Sequence, residues 1–279
     1  MVDPERKVDV PLTAEQQDLL AAIQRVLEAD PEIEAGWLGG SLGRGAGDAF
    51  SDVDVVALVV GRPPAEVGTR YAREVAAIAE PALVQPLYGA RILNVVTTDW
   101  RRFDISFVEP GDLSRFDANR LTPLFNRGDS SPPHAASTPY RPTPATVLPL
   151  VTEYLRVTGL LVVGLGREEY VLGLSGLEIL RRLTVDLMLE ENGVGPADRG
   201  GALRRNPFLT NDQRDELASL PPVFADRDGL IAANRALSEI FLPRARRLAA
   251  QTGTPWPSVF EAATRRHLQE RLGVSFEAL

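Results

Sequence analysis

The chain has 279 residues, enough for one large domain or two of ordinary size, each with its own core. With 44% hydrophobic and 24% charged residues it matches an average soluble globular protein, and no apolar run approaches the ~18 residues that a membrane span needs. The absence of cysteine excludes disulfides, thiol catalysis and thiolate metal sites, and the formal net charge of −8 argues against a broad nucleic-acid surface and for a cationic or uncharged substrate.

The start, MVDPERKVDVPLTAEQQ, has no basic stretch followed by an apolar core, so a cytoplasmic chain is expected. Residues 14–29 place Leu19, Leu20, Ile23, Val26 and Leu27 on one face at helical spacing, with Thr13 as N-cap. IEAGWLGG at 33–40 predicts a short strand running into a glycine turn. DVDVVALVV at 52–60 predicts a strand that turns apolar on both faces, which places it inside a sheet. A helix is predicted over 70–80, and three strands from 82–90, 91–98 and 103–109. Asp129 to Pro144, rich in proline and serine, predicts a linker or crossing loop. Beyond it, 143–164, 175–193, 211–220, 228–251 and 257–273 carry apolar residues at three- and four-residue spacing, broken by Gly and Pro. The expected fold is α+β: a mixed-sheet domain over 1–130 followed by an all-helical domain over 145–279.

The informative stretch is GGSLGRGAGDAFSDVD at 39–54. In an extended strand Asp52 and Asp54 point to one face while Val53 and Val55 point to the other, so two carboxylates are presented together. Such a pair repels unless a cation lies between them. The plain alternative is two solvated carboxylates at a strand entrance. Gly40 and Ser41 sit where a strand turns into a short helix, which aims backbone amides and a hydroxyl at an anion such as a triphosphate. Gly39 is expected to allow close backbone approach. Asp104, in WRRFDISFV, has Phe103, Ile105 and Phe107 on the opposite face and could reach the same ions. Three carboxylates around two ions suit phosphoryl transfer. With His134 and His267 far apart in sequence, oxygen-bound Mg²⁺ is the expected metal. A G-x-x-x-x-G-K-[ST] loop is excluded because Lys7 is the only lysine. The G-x-G-x-x-G pattern fails at Asp48.

A Gly-Ser pair, about ten residues, D-x-D on a strand and a further Asp on a later strand resemble the nucleotidyltransferase superfamily of DNA polymerase β. A small catalytic domain followed by helices is most similar to its bacterial antibiotic branch, which adenylylates aminoglycosides or lincosamides with ATP and Mg²⁺. The resemblance covers 38–60 and 103–107. It implies Gly40 and Ser41 as triphosphate contacts, Asp52 and Asp54 as metal ligands, and Asp104 as third ligand, general base or both. Arg44 follows the cradle as a phosphate contact or a solvated arginine. The implied activity is transfer of AMP from ATP, with two Mg²⁺ ions, to a hydroxyl of a small, aminoglycoside-like molecule. A toxin-like member acting on tRNA or a protein is the alternative, and a non-enzymatic nucleotide sensor a third reading.

The acceptor is expected between the two domains. Asp186 and Glu190, four apart on one helix face with Glu191 beside them, could bind ammonium groups, or form an ordinary solvated acidic face. Trp100 and Trp256 could stack on a ring, and the arginine runs at 181–183, 204–206, 243–247 and 265–267 read as solvated helix faces. Neither a membrane nor a nucleic acid is an expected partner, tRNA remaining the exception.

Overall fold

The structure, a computed structural model, describes residues 12–136, 138–199, 204–276 and 278. Residues 1–11, the greater part of the segment on which the reading of localisation rests, lie outside the described residues. The chain divides into two compact units, one over Asp3–Ser137 and one containing Thr138–Leu279.

The first unit opens with α1 (Ala14–Ala29), whose Thr13 cap accepts from the Gln16 amide while the Gln16 side chain accepts from the Thr13 amide. Next come β1 (Ile33–Leu38), the one-turn helix α2 (Gly40–Gly43) and β2 (Val53–Val59). Then follow α3 (Pro64–Glu74), β3 (Pro81–Leu87), β4 (Ile92–Thr97), β5 (Arg102–Val108) and β6 (Thr122–Asn126). The predicted helix over 70–80 is displaced: it starts at Pro64, in the first turn, where a proline loses no hydrogen bond. The strand β6 is absent from the sequence reading because Pro123 interrupts a five-residue run. It pairs only with β1, at an edge of the sheet, where a proline is tolerated.

The six strands run in the order β3-β4-β5-β2-β1-β6, with β2 and β5 parallel and the other pairs antiparallel. The strand predicted to lie inside the sheet is therefore central. On one face, Val53, Val55, Ala57 and Val59 of β2 join Phe103, Ile105 and Phe107 of β5 beneath Leu19, Ile23 and Leu27 of α1 and Val67 and Tyr71 of α3. On the other face a smaller cluster holds Ala35, Trp37, Val56, Leu58, Val108 and Leu113. By strand alternation Asp54 and Asp104 extend that second row toward the strand entrances.

The second unit is helical: α4 (Pro144–Gly166), α5 (Tyr170–Glu191), α6 (Asn211–Ala218), α7 (Arg227–Thr252) and α8 (Ser258–Leu272). Its core gathers Val147, Val151, Tyr154 and Leu155 of α4 with Leu180 and Leu187 of α5 and Phe241 and Leu242 of α7. Tyr154 stacks on Phe241, with centroids 3.7 Å apart and planes at 6°. Gly253 and Gly273, at φ +69°, close α7 and α8 in the left-handed conformation that ends helices. Helix α4 corrects the expectation that nothing here matches a membrane span. It is long and apolar enough by length and composition, with a mean hydropathy of 1.5. Its buried side chains pack against α5, α7 and α8, so its apolarity serves as the centre of this unit's core.

Candidate functional site

The first strand ends at Leu38, and the chain turns through Gly39 and Gly40 into α2. The Gly39 amide donates to the Asp54 carbonyl at 2.8 Å, which fastens the turn to the entrance of β2. Gly40 has φ +58°, and a Cβ on it would lie 1.7 Å from Asp54 Oδ2. Backbone and carboxylate press against each other there, and only glycine fits. The close approach that the sequence suggests for Gly39 thus belongs to Gly40. A Cβ on Gly39 would meet Leu121 Cδ2 at 3.4 Å and the Asp54 carbonyl at 3.8 Å, which is ordinary contact.

Asp54 and Asp104 are direct partners in the parallel β2–β5 register, so their side chains leave one face on strands about 4.8 Å apart. Asp52 precedes the first residue of β2. Burial, then the charges of Asp52 and Asp104, push the Asp54 carboxyl up to about 7, while Arg44 and Arg102 pull it down. Burial raises Asp104 as well; its hydrogen bond from Asn94 opposes this and the Asp52 charge adds to it. The three acids of the sequence reading therefore interact: the charge of Asp52 opposes ionisation of both Asp54 and Asp104, and that of Asp104 opposes ionisation of Asp54.

Two residues that hold the surroundings of these acids escaped the sequence reading, and one of them bonds to an acid directly. Asn94, opposite Asp104 in the β4–β5 register, donates from Nδ2 to Asp104 Oδ1 at 2.7 Å and fixes that carboxylate. Its signal was an amide at the centre of the apolar strand RILNVVTT. Gln16 donates from Nε2 to the carbonyls of Asp48 and Ser51, both at 2.9 Å, and so holds the loop that ends at Asp52. The Thr13-x-x-Gln16 capping pattern marks it as a helix residue, but nothing local announces its second task. The same loop is tied by the Arg102 guanidinium, which donates to the Phe50 carbonyl at 2.8 Å.

Ser41 lies in α2, half-buried, and Arg44 caps that helix through its amide bond to the Leu42 carbonyl. Among the described residues no three His, Cys, Asp or Glu side chains stand gathered as a finished metal cage. The donor chemistry nevertheless fits a hard cation: the groups are all carboxylates, and a positive charge among them would offset the burial and the mutual repulsion that push Asp54 up to about 7.

The other candidates stand elsewhere. Glu190 is 2% exposed and accepts from Tyr140 Oη at 2.7 Å, from Thr146 Oγ1 at 3.0 Å and from Arg199. Asp186 faces the same arginine at 3.8 Å, and Glu191 pairs with Arg244 at 2.7 Å. These acids form neither a solvated face nor an open cationic subsite; arginines already occupy them. Trp256 donates to Glu261 at 2.9 Å beneath the Arg246 guanidinium. Trp100 is 78% exposed at φ +64° in the β4–β5 turn.

No family model matches the sequence, and no curated protein matches it. Among solved structures, the crystal structure of an aminoglycoside 6-adenyltransferase from Bacillus subtilis is similar over 91% of this chain and 96% of that chain, at 16% identity and a TM-score of 0.45. A likeness of that degree leaves the chemistry of this chain to its own residues.

Proposed function

We propose that the chain is a nucleotidyltransferase that moves AMP from ATP to a hydroxyl of a small molecule, with Mg²⁺ held by Asp52, Asp54 and Asp104. The observation that carries this reading is the pairing of Asp54 with Asp104 in register, with the Gly40 backbone pressed onto the Asp54 carboxylate. A fold gains nothing in stability by stacking like charges, so the arrangement fits a site built for a cation and a polyanion. The bound metal would supply Lewis-acid stabilisation of the triphosphate and a lowered pKa for the acceptor hydroxyl.

The protein's own tasks follow from the geometry. The Gly40–Ser41 turn presents backbone and hydroxyl to phosphate beside the acids. Asn94 holds one oxygen of Asp104, which leaves the other to face the acceptor hydroxyl and receive its proton. Arg44 and Arg102, both close enough to bias Asp54, offer positive charge to a developing phosphate charge. An aminoglycoside-like acceptor is consistent with the net charge of −8, since a polycation is drawn to an acidic surface.

The test is pyrophosphate release from ATP and Mg²⁺ across aminoglycosides, lincosamides and bulk tRNA, with Asp54→Asn as control. Release with one small-molecule class that disappears in the control supports the proposal. Release with tRNA alone replaces the acceptor, and release that survives Asp54→Asn removes these acids from the chemistry.

A further inference from the structure

Gln16 divides its hydrogen bonds between two different pieces of structure. Its Oε1 accepts from the Thr13 amide at 2.9 Å, and its backbone amide donates to Thr13 Oγ1 at 3.2 Å, which starts α1. Its Nε2 donates to the carbonyls of Asp48 and Ser51, which are 32 and 35 residues away in sequence. The amide is not reversible, because only the nitrogen can serve two carbonyls and only the oxygen can serve an N–H. The residue is 7% exposed, so water does not replace a lost donor freely.

The second carbonyl belongs to the peptide that joins Ser51 to Asp52. Around it the loop is closed on itself: Asp48 Oδ1 accepts from the Phe50 amide at 3.0 Å and from Ser51 Oγ at 3.1 Å. A self-closed loop still rotates as a body unless something outside holds it. Gln16 is such an anchor on the α1 side, as Arg102 is on the β5 side.

We infer that Gln16 is a positioning residue for the acidic site: it couples the first turn of α1 to the loop that sets the Asp52 carboxylate against Asp54. This rests on the proposed metal role of those acids. A partner bonded directly to a ligating side chain typically governs metal affinity by about 10–100-fold, and Gln16, which acts through the Ser51 carbonyl, is set at the lower end of that range.

The experiment measures Mn²⁺ binding to the full chain by calorimetry, together with amide hydrogen exchange over residues 48–52. Gln16→Glu and Gln16→Met both remove the donors, and Gln16→Asn, a milder change, keeps the amide but shortens its reach. Thr13→Ala is the control, since it removes the Thr13 cap oxygen and leaves both Nε2 bonds in place. The Gln16 variants are expected to bind Mn²⁺ about 10-fold more weakly and to exchange faster at 48–52, with Thr13→Ala like the wild type in both. If Gln16→Glu and Gln16→Met do not fold, Gln16→Asn carries the comparison. Wild-type affinity and protection in a folded Gln16 variant overturn the inference, as does equal weakening in Thr13→Ala, which would assign the effect to the helix. A wild-type protein that binds no Mn²⁺ overturns the metal reading itself; the exchange difference between Gln16 and Thr13 variants still reports whether the anchor holds the loop.

Discussion

Two sets of carboxylates in this molecule are treated in opposite ways. In the helical unit Glu190 is buried, yet three donors, one of them an arginine, meet it; Glu191 and Glu216 share Arg244. In the sheet unit Asp52, Asp54 and Asp104 face one another, and burial and mutual repulsion raise Asp54 to about 7. The same chain thus neutralises its acids where only packing is at stake and leaves three against each other at the entrance of its central strands. Such a difference fits the proposed site, because carboxylates set against one another lower stability and are kept in a fold for another reason.

The sharpest way to break the comparison is Asp54→Asn. If the acids serve transfer, turnover should fall about a thousandfold or more, because one charge leaves the site that stabilises the transition state. In metal-free protein at neutral pH the same change should raise stability, since it removes a like charge; denaturant unfolding reads this directly. An Asp54→Asn protein that is both active and less stable would reverse the contrast. The helical acids should answer in the other direction: Glu190→Ala takes the nearer carboxylate from the half-buried Arg199, leaving it Asp186 at 3.8 Å, strips Tyr140 and Thr146 of their acceptor, and should cost about 1–3 kcal/mol in unfolding free energy. A loss below about 1 kcal/mol would mean that the Glu190 hub is ornamental.

Gly40→Ala tests the contact between turn and carboxylate. The left-handed backbone costs alanine about 1–2 kcal/mol, and displacement of Asp54 adds about 1–3 kcal/mol of overpacking. Gly39→Ala, with room for its methyl group, is the matched control and should stay close to wild type in both stability and turnover. Equal effects at the two glycines would place the constraint in the turn as a whole.

The parts of this contrast were unequally legible in the sequence. Alternation along the strand put Asp54 on the face opposite Val53 and Val55, where the β2–β5 register sets it beside Asp104, while Asp52 lies just before β2 and alternation does not reach it. The helices were visible through their spacing, and α1 begins and ends at the residues expected of it. What stayed hidden depends on contacts made across the fold. Gly39 and Gly40 are indistinguishable as letters, and only the approach of Asp54 tells which one needs to be glycine. Glu190 reads as a surface acid until Tyr140, Thr146 and Arg199 converge on it from 50, 44 and 9 residues away. Gln16 belongs to a local capping pattern that conceals a long-range one. The strand β6 failed for a different reason, since pairing with β1 supplies what the propensity of TPLFN does not.

The smallest predicted effect sharpens the comparison within the sheet unit, at the opposite ends of β1 and β2 from the acids. There Asp30, 9% exposed, accepts from Arg70 at 2.6 Å, from Tyr71 Oη at 2.9 Å and from the Glu32 amide at 2.9 Å. Burial works against its charge, but those three donors outweigh it and hold the carboxyl below the ordinary aspartate range. A carboxyl whose folded pKa is lowered contributes stability that is present above the unfolded value, about 3.9, and disappears as the pH falls through the folded one. Asp30→Asn should therefore be less stable than wild type at pH 7, by about 1.5 kcal/mol for a charged hydrogen bond, with the gap closing below about pH 4. Denaturant unfolding from pH 7 to pH 3 measures the gap. A gap independent of pH would mean that Asp30 acts through shape and not through charge, and a gap that widened in acid would give this paired carboxylate the raised pKa that is seen at Asp54.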